Sequence, residues 1–142
     1  MTFKSLGIDA DICEALDAKG ITSPFPIQQQ AIPVALAGTD IIGQAKTGTG
    51  KTLGFGLPLI QALGENPSKG VQALVVVPTR ELALQVSEDL IMATSNRPTT
   101  VVAIYGGKAY EGQVAALEAG AQIVVGTPGR LLDLAKQKLM DL

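Results

Sequence analysis

The stretch Gln44-Ala45-Lys46-Thr47-Gly48-Thr49-Gly50-Lys51-Thr52 constrains this chain more than any other. It follows an apolar run, Ile41-Ile42-Gly43, and precedes a segment with helical character. That is the setting of a phosphate-binding loop, in which small residues let successive backbone N–H groups turn toward one anion. The helix that follows presents free N–H groups and the positive end of its dipole to the same anion. Lys51 is placed to reach the β- and γ-phosphates, and the Thr52 hydroxyl to ligate Mg²⁺. The pattern G-x-x-x-x-G-K-[ST] is met except at its first position, where Ala45 stands for Gly. A Gly-rich turn joining a strand to a helix is the plain alternative, and Gly50-Lys51-Thr52 weighs against it.

A phosphate loop of this kind needs a parallel sheet, and the rest of the chain supplies the rhythm of one. Apolar, β-branched runs at 40–44, 72–77, 100–105 and 121–126 alternate with stretches of helical pattern at 51–63, 79–94, 109–119 and 128–138. Runs that are apolar throughout, such as Ala73-Leu74-Val75-Val76-Val77, fit strands covered on both faces. The expected fold is therefore α/β, a parallel sheet flanked by helices. Right-handed crossovers bring all strand-to-helix loops to one sheet edge.

Ahead of the sheet, residues 9–19 read as a helix with Ile8, Ile12 and Leu16 on one face. Asp9 and Asp11 suit its start, and Gly20 its end. Two prolines make 21–26 a rigid turn, and a second helix can start at Pro26. Pro33 is expected to break or kink that helix, and Gly38 to end the next short piece. Residues 64–70 read as a polar, mobile surface loop.

Composition narrows the functional classes. With 11 basic and 13 acidic residues the formal net charge is −2, which argues against a generic polycationic nucleic-acid binder but leaves room for a few well-placed cations. There is no histidine and a single cysteine, Cys13, so Cys/His zinc sites and an internal disulfide are excluded. Cys13 is expected to be a buried thiol in a reducing compartment. No apolar run reaches the length of a membrane span, and the N-terminus lacks the apolar core of a signal peptide, so a cytoplasmic location is expected.

Three further loops fall on the edge that carries the phosphate loop: Pro78-Thr79-Arg80, Gly106-Gly107 and Thr127-Pro128-Gly129-Arg130. Each has two readings. Thr79-Arg80 is either a helix cap with a solvated arginine or an anion contact built from a hydroxyl, a guanidinium and a helix N-terminus. Gly106-Gly107 is either a turn or a close approach of backbone N–H groups to a phosphate. Thr127 and Pro128 make a good helix start by chemistry alone, and Arg130 lies one turn inside it. Three such loops in succession suit a polyanion lying across the sheet, held by its phosphates without being read in sequence. Gln28 is either an exposed helical residue or an amide placed for the donor and acceptor on an adenine edge. Phe3 either stacks on a base or anchors the N-terminus in the core.

Taken in order, these stretches resemble the DEAD-box ATP-dependent RNA helicases. Gly20 to Gln28, which includes Ile21, is similar to that family's Q motif, with Phe3 at the spacing of its upstream aromatic. Ala45 to Thr52 resembles motif I, in which Ala at the first position is usual. Pro78 to Leu82 resembles motif Ia, Gly106-Gly107 the double-glycine motif, and Thr127 to Arg130 motif Ib. The resemblance covers essentially the whole chain. It implies a RecA-like fold, incomplete at the C-terminus, with a helical Q-motif region at 1–38 and a partial ATP-binding domain at 39–142. It also implies ATP and Mg²⁺ as ligands. Gln28, Ile21 and Phe3 would lie at adenine. Ala45, Thr47, Gly48, Thr49, Gly50, Lys51 and Thr52 would lie at the phosphates, with Lys51 and Thr52 serving catalysis. Pro78, Thr79, Arg80, Gly106, Gly107, Thr127, Pro128, Gly129 and Arg130 would grip an RNA backbone, independent of sequence.

The family's Asp-Glu-Ala-Asp and Ser-Ala-Thr motifs do not occur in the 142 residues. The chain is accordingly expected to be part of a longer enzyme with a second RecA-like domain, and to lack turnover alone because phosphoryl transfer depends on those groups. The alternative is a non-catalytic nucleotide- or RNA-binding module. A GTPase reading of the phosphate loop is opposed by the absence of an Asn-Lys-x-Asp signature. Apolar helix faces without their strands imply marginal stability.

Overall fold

The computed structural model describes residues 1–45, 50–107 and 110–140. Two compact units divide them: residues 1–65 with 92–97, and residues 66–91 with 98–142.

The first unit is helical. Helix α1 (Ala10–Asp17) buries Ile12, Ala15 and Leu16, and Ile8 just before it is buried as well, as the apolar spacing requires. Helix α2 (Pro26–Leu36) starts at Pro26, where a missing N–H costs nothing. Pro33 lies inside α2 and does not end it, so of the expected break or kink the break does not occur. A proline removes one N–H, but the carbonyl of Pro33 still accepts from Ala37 N–H (3.2 Å), and the stop comes from Gly38 at φ +83°. Helix α3 (Lys51–Leu63) packs against α2 and buries Leu53, Leu57 and Ile60.

The chain ahead of the phosphate loop is not a strand. Residues 40–44, expected to form one, are irregular, and Ile41 and Ile42 are exposed. β-branched apolar residues favour a pleated, half-buried surface, but a strand exists only when a second backbone accepts its hydrogen bonds. No ladder partner for 40–44 is found among the described residues. Instead, Ile41–Gln44 line a groove with Ile27, Ala31 and Val34 of α2.

The second unit carries the sheet. Strands β1 (Ala73–Val76), β2 (Val101–Ile104) and β3 (Ile123–Gly126) are parallel in the order β1-β3-β2. Ile123 faces both Ala73 and Val101, and Gly126 faces both Val76 and Ile104, so the strand ends are level. The central strand is fully buried, which explains its unbroken Ile-Val-Val run. Helix α5 (Tyr110–Glu118) follows β2, and helix α6 (Pro128–Lys136) follows β3. Leu117 of α5 and Leu131 and Leu134 of α6 join Ile104, Val124 and Met140 in one core cluster. Helix α4 (Arg80–Ala93) follows β1. The 64–70 loop is tied at its end, where Gly70 N–H donates to the Gly120 carbonyl (3.1 Å). Among the described residues no helix is long and apolar enough to cross a membrane.

Candidate functional site

The two sets of candidate residues fall in different units. The nucleotide set belongs to the first. Thr47, Gly48 and Thr49 lie outside the described residues, but both shoulders of the loop are defined. Ala45 is half-buried. Gly50 caps α3 with φ +79° and ψ 28°, a left-handed conformation that needs glycine. A methyl group built there would collide with the Gln28 amide and lie 2.7 Å from the Phe25 ring. Beyond it Lys51 is exposed and Thr52 half-buried in the first turn of α3. A left-handed glycine with no room for a side chain, then a helix N-terminus bearing an exposed lysine, is a donor set that fits a nucleotide phosphate.

Gln28 holds this shoulder in place. Its side chain is buried, with the residue 1% exposed, so the exposed-helix reading does not describe it. Phe25 N–H donates to Gln28 Oε1 (2.8 Å), which satisfies an orphan donor at the start of α2. Gln28 Nε2 donates to the Gly50 carbonyl (3.0 Å). One amide thus links the first turn of α2 to the residue that caps α3. Ile21 is half-buried. Phe3 is 3% exposed, so its ring anchors the N-terminal turn rather than offering a free face.

A second anchor in this unit was not visible in the sequence. Arg97, whose side chain is 1% exposed, donates from Nε to Asp11 Oδ2 (2.6 Å) and from Nη2 to Asp9 Oδ2 (2.8 Å) and Asp11 Oδ1 (3.0 Å). The hydrogen bond from Arg97 holds the Asp11 carboxyl below its ordinary range, and burial opposes that shift only in part. Asp9 and Asp11 thus serve Arg97; Asp9, at the cap position, makes no side-chain cap bond. Gln61 adds to the anchorage, accepting from Asp9 N–H (2.8 Å) and donating to the Gly7 carbonyl (2.7 Å). Cys13 is half-buried, with its thiol 3.5 Å from the Ile8 carbonyl.

The polyanion set belongs to the second unit, where parallel topology gathers its loops at the C-terminal ends of the strands. Thr79 caps α4 through its hydroxyl, which accepts from Leu82 N–H (3.2 Å). Arg80 is exposed, and its guanidinium stands 5.8 Å from the centre of the Tyr105 ring, within cation–π range. A methyl built on Gly107 would make only an ordinary contact with Arg80 Nη1 (3.7 Å), so it is the backbone at φ +82°, rather than a lack of space, that favours glycine there. Pro78, Gly106, Pro128 and Gly129 are all exposed. Thr127 occupies the cap position of α6 but makes no side-chain cap bond; its own N–H donates to the Ile104 carbonyl (3.0 Å). Arg130 Nη1 donates to Gln113 Oε1 (3.1 Å), and Gln113 Nε2 donates to the Tyr105 carbonyl (3.0 Å). Gln113 had no sequence signal beyond its place in α5. Two arginines from two different helices are thus tied to Tyr105, Arg80 through the ring and Arg130 through Gln113, an arrangement that suits a phosphate backbone.

With this geometry in place, known proteins offer a comparison. Residues 25–142 match the profile of the family described as DEAD/DEAH box helicase. The chain is 48% identical, over all 142 residues, to the DEAD-box ATP-dependent RNA helicase CshA of Streptococcus pneumoniae. It is 45% identical over 140 residues to the ATP-dependent RNA helicase CshA of Listeria monocytogenes, and spans 27% of the length of each of these relatives. Among solved structures it resembles a DEAD box protein from the hyperthermophile Methanococcus jannaschii, with TM-score 0.91 and 41% identity, all of this chain matching 39% of that one. A hypothetical ATP-dependent RNA helicase from Sulfolobus tokodaii matches 94% of this chain with TM-score 0.84 and 35% identity; 38% of that protein is covered. A RecA-like arrangement of parallel sheet and flanking helices, and the match over residues 25–142, lead to one conclusion: this chain belongs to the DEAD/DEAH box helicase family.

Proposed function

We propose that these residues form the nucleotide-binding part of an ATP-dependent RNA helicase, which couples ATP hydrolysis to local unwinding or remodelling of RNA. The observation that carries this reading is that Arg80, through the ring, and Arg130, through Gln113, are both tied to Tyr105 in a chain that also holds a left-handed glycine at a lysine-bearing helix start. ATP would be held at the phosphates by the Ala45–Thr52 loop, with Lys51 neutralising charge and the Thr52 hydroxyl ligating Mg²⁺. Gln28 and Ile21 would lie toward adenine. Bound there, Mg²⁺-ATP would supply the free energy of hydrolysis. The protein's own part would be to position the phosphates and stabilise the charge that develops on them.

The Pro78–Arg80, Gly106-Gly107 and Thr127–Arg130 loops would hold the RNA backbone. Phosphate contacts position without specifying, so binding would be independent of sequence. Activity would require carboxylates for Mg²⁺ and for the attacking water, which are not in these loops, and also a second RecA-like domain of the same protein. The chain would divide after residue 38 into a helical Q-motif region and an ATP-binding domain, in a cytoplasmic protein.

The test is RNA-stimulated ATP turnover by the whole protein. The Lys51→Ala variant is expected to lose turnover by at least about a hundredfold, as loss of a charge that stabilises the transferring phosphoryl group should. Turnover near that of the wild type would refute the role given to the loop. The isolated 142-residue chain is expected to show none, and turnover by it would refute the need for the missing carboxylates.

A further inference from the structure

We propose that Gln113 is a positioning residue for the RNA grip, and that its amide holds Arg130 ready for a phosphate. This rests on the proposed RNA reading of Arg130. Gln113 is 2% exposed and sits in the first turn of α5. Its orientation is dictated by chemistry. A carbonyl can only accept, so the Tyr105 carbonyl requires the NH₂ end of the amide (3.0 Å). That leaves Oε1 facing Arg130 Nη1 (3.1 Å). One buried side chain therefore fixes a guanidinium from α6 to the main chain after β2. The same residue, Tyr105, carries the Arg80 guanidinium on its ring (5.8 Å). Gln113 thus ties Arg130 to the same residue that supports Arg80.

An amide is better suited to this task than a carboxylate. An arginine loses considerable rotamer freedom when it binds, and one that is already oriented loses less at the moment of binding. A neutral acceptor orients the guanidinium without cancelling its charge. A glutamate here would hold Arg130 at least as firmly, but would compensate the charge that a phosphate needs and would set an acceptor against the Tyr105 carbonyl.

A double-mutant cycle on the whole protein tests this, with a fluorescein-labelled oligouridylate as the probe and a non-hydrolysable ATP analogue at saturation. Arg130→Met and Gln113→Met are each expected to weaken RNA binding by about tenfold, the scale of one charge-assisted hydrogen bond. The double variant should be no weaker than Arg130→Met by more than about twofold, because residues that act as one unit are not additive. If the two losses multiply to about a hundredfold, or if Gln113→Met binds like the wild type, the positioning role is overturned while the RNA reading stands. If Arg130→Met itself binds like the wild type, the RNA reading of Arg130 falls and this inference with it. Gln113→Glu keeps the volume and guards against a folding defect in the methionine variant. It is expected to weaken binding and to lower the slope of log affinity against log salt by about one, the signature of one lost phosphate contact. An unchanged slope and affinity in that variant would also overturn the proposal.

Discussion

Replacing Gly50 by alanine probes the shoulder of the phosphate loop through two separable costs. The first is conformational. At φ +79° an L-residue places its Cβ against the following carbonyl, which costs about 1–2 kcal/mol. The second is the collision with Gln28. Its amide cannot yield without giving up Nε2–H to the Gly50 carbonyl (3.0 Å) and Oε1 to Phe25 N–H (2.8 Å), and a buried polar group left unsatisfied costs about 1–3 kcal/mol. Together they place the destabilisation of Gly50→Ala at about 3 kcal/mol, measurable as a shift in the urea unfolding midpoint with unchanged slope. In a Gln28→Ala background the amide is gone, so the same substitution should cost only the backbone part and the Phe25 contact, about 1–2 kcal/mol. Nucleotide affinity, followed with a fluorescent ATP analogue, should fall in Gly50→Ala, because the first N–H groups of α3 can no longer hold their direction. Wild-type stability in Gly50→Ala, or an equal increment in both backgrounds, would refute the claim that Gln28 and Gly50 form one device.

The remaining predictions concern the other anchors. Arg97→Met should destabilise the protein by about 2–3 kcal/mol at neutral pH, below the full cost of breaking a buried ion pair because the Asp9 and Asp11 side chains are 45% and 30% exposed. Asp11 titrates below its ordinary value in the folded state, so its contribution is present above about pH 4 and is lost as pH falls further; urea unfolding of wild type and variant should therefore converge in acid, and a constant gap would contradict this. Gly126→Ala would put a methyl 2.6 Å from Leu131 and 2.8 Å from the Ile104 carbonyl, at the level end of the central strand. The carbonyl cannot retreat without loosening the Thr127 N–H bond (3.0 Å), so a loss of about 1–3 kcal/mol is expected, and wild-type stability would show that this sheet edge is softer than it looks.

What the sequence revealed and what it hid follow from the range of the interactions involved. Period, turn chemistry and glycine placement are local, and they sufficed for α3, whose bounds agree to the residue, and for three strands and four more helices within a few residues. The segment 40–44 failed because apolar character records a tendency toward burial, whereas a strand is made by a second backbone. Side-chain partnerships between distant residues left no trace at all. Asp9 and Asp11 look like helix-start carboxylates, and only the fold brings Arg97, more than eighty residues later, onto them. Gln113 looks like one polar position among several in α5.

Gln28 and Gln113 nonetheless obey a common physical rule. Each buried amide spends its NH₂ end on a main-chain carbonyl, that of Gly50 or that of Tyr105. The Gly50 carbonyl belongs to a loop that the sequence had already marked for phosphate, and Tyr105 immediately precedes another, Gly106-Gly107. A loop that must present N–H groups or a guanidinium to an anion cannot also satisfy its own carbonyls by regular pairing. Something with an N–H to give must do so from the side, and a buried glutamine can, without adding a charge to the site. The prolines, glycines and arginines of such loops can be read from the chain; the glutamines that hold them open to an anion become legible only once the loops have been placed.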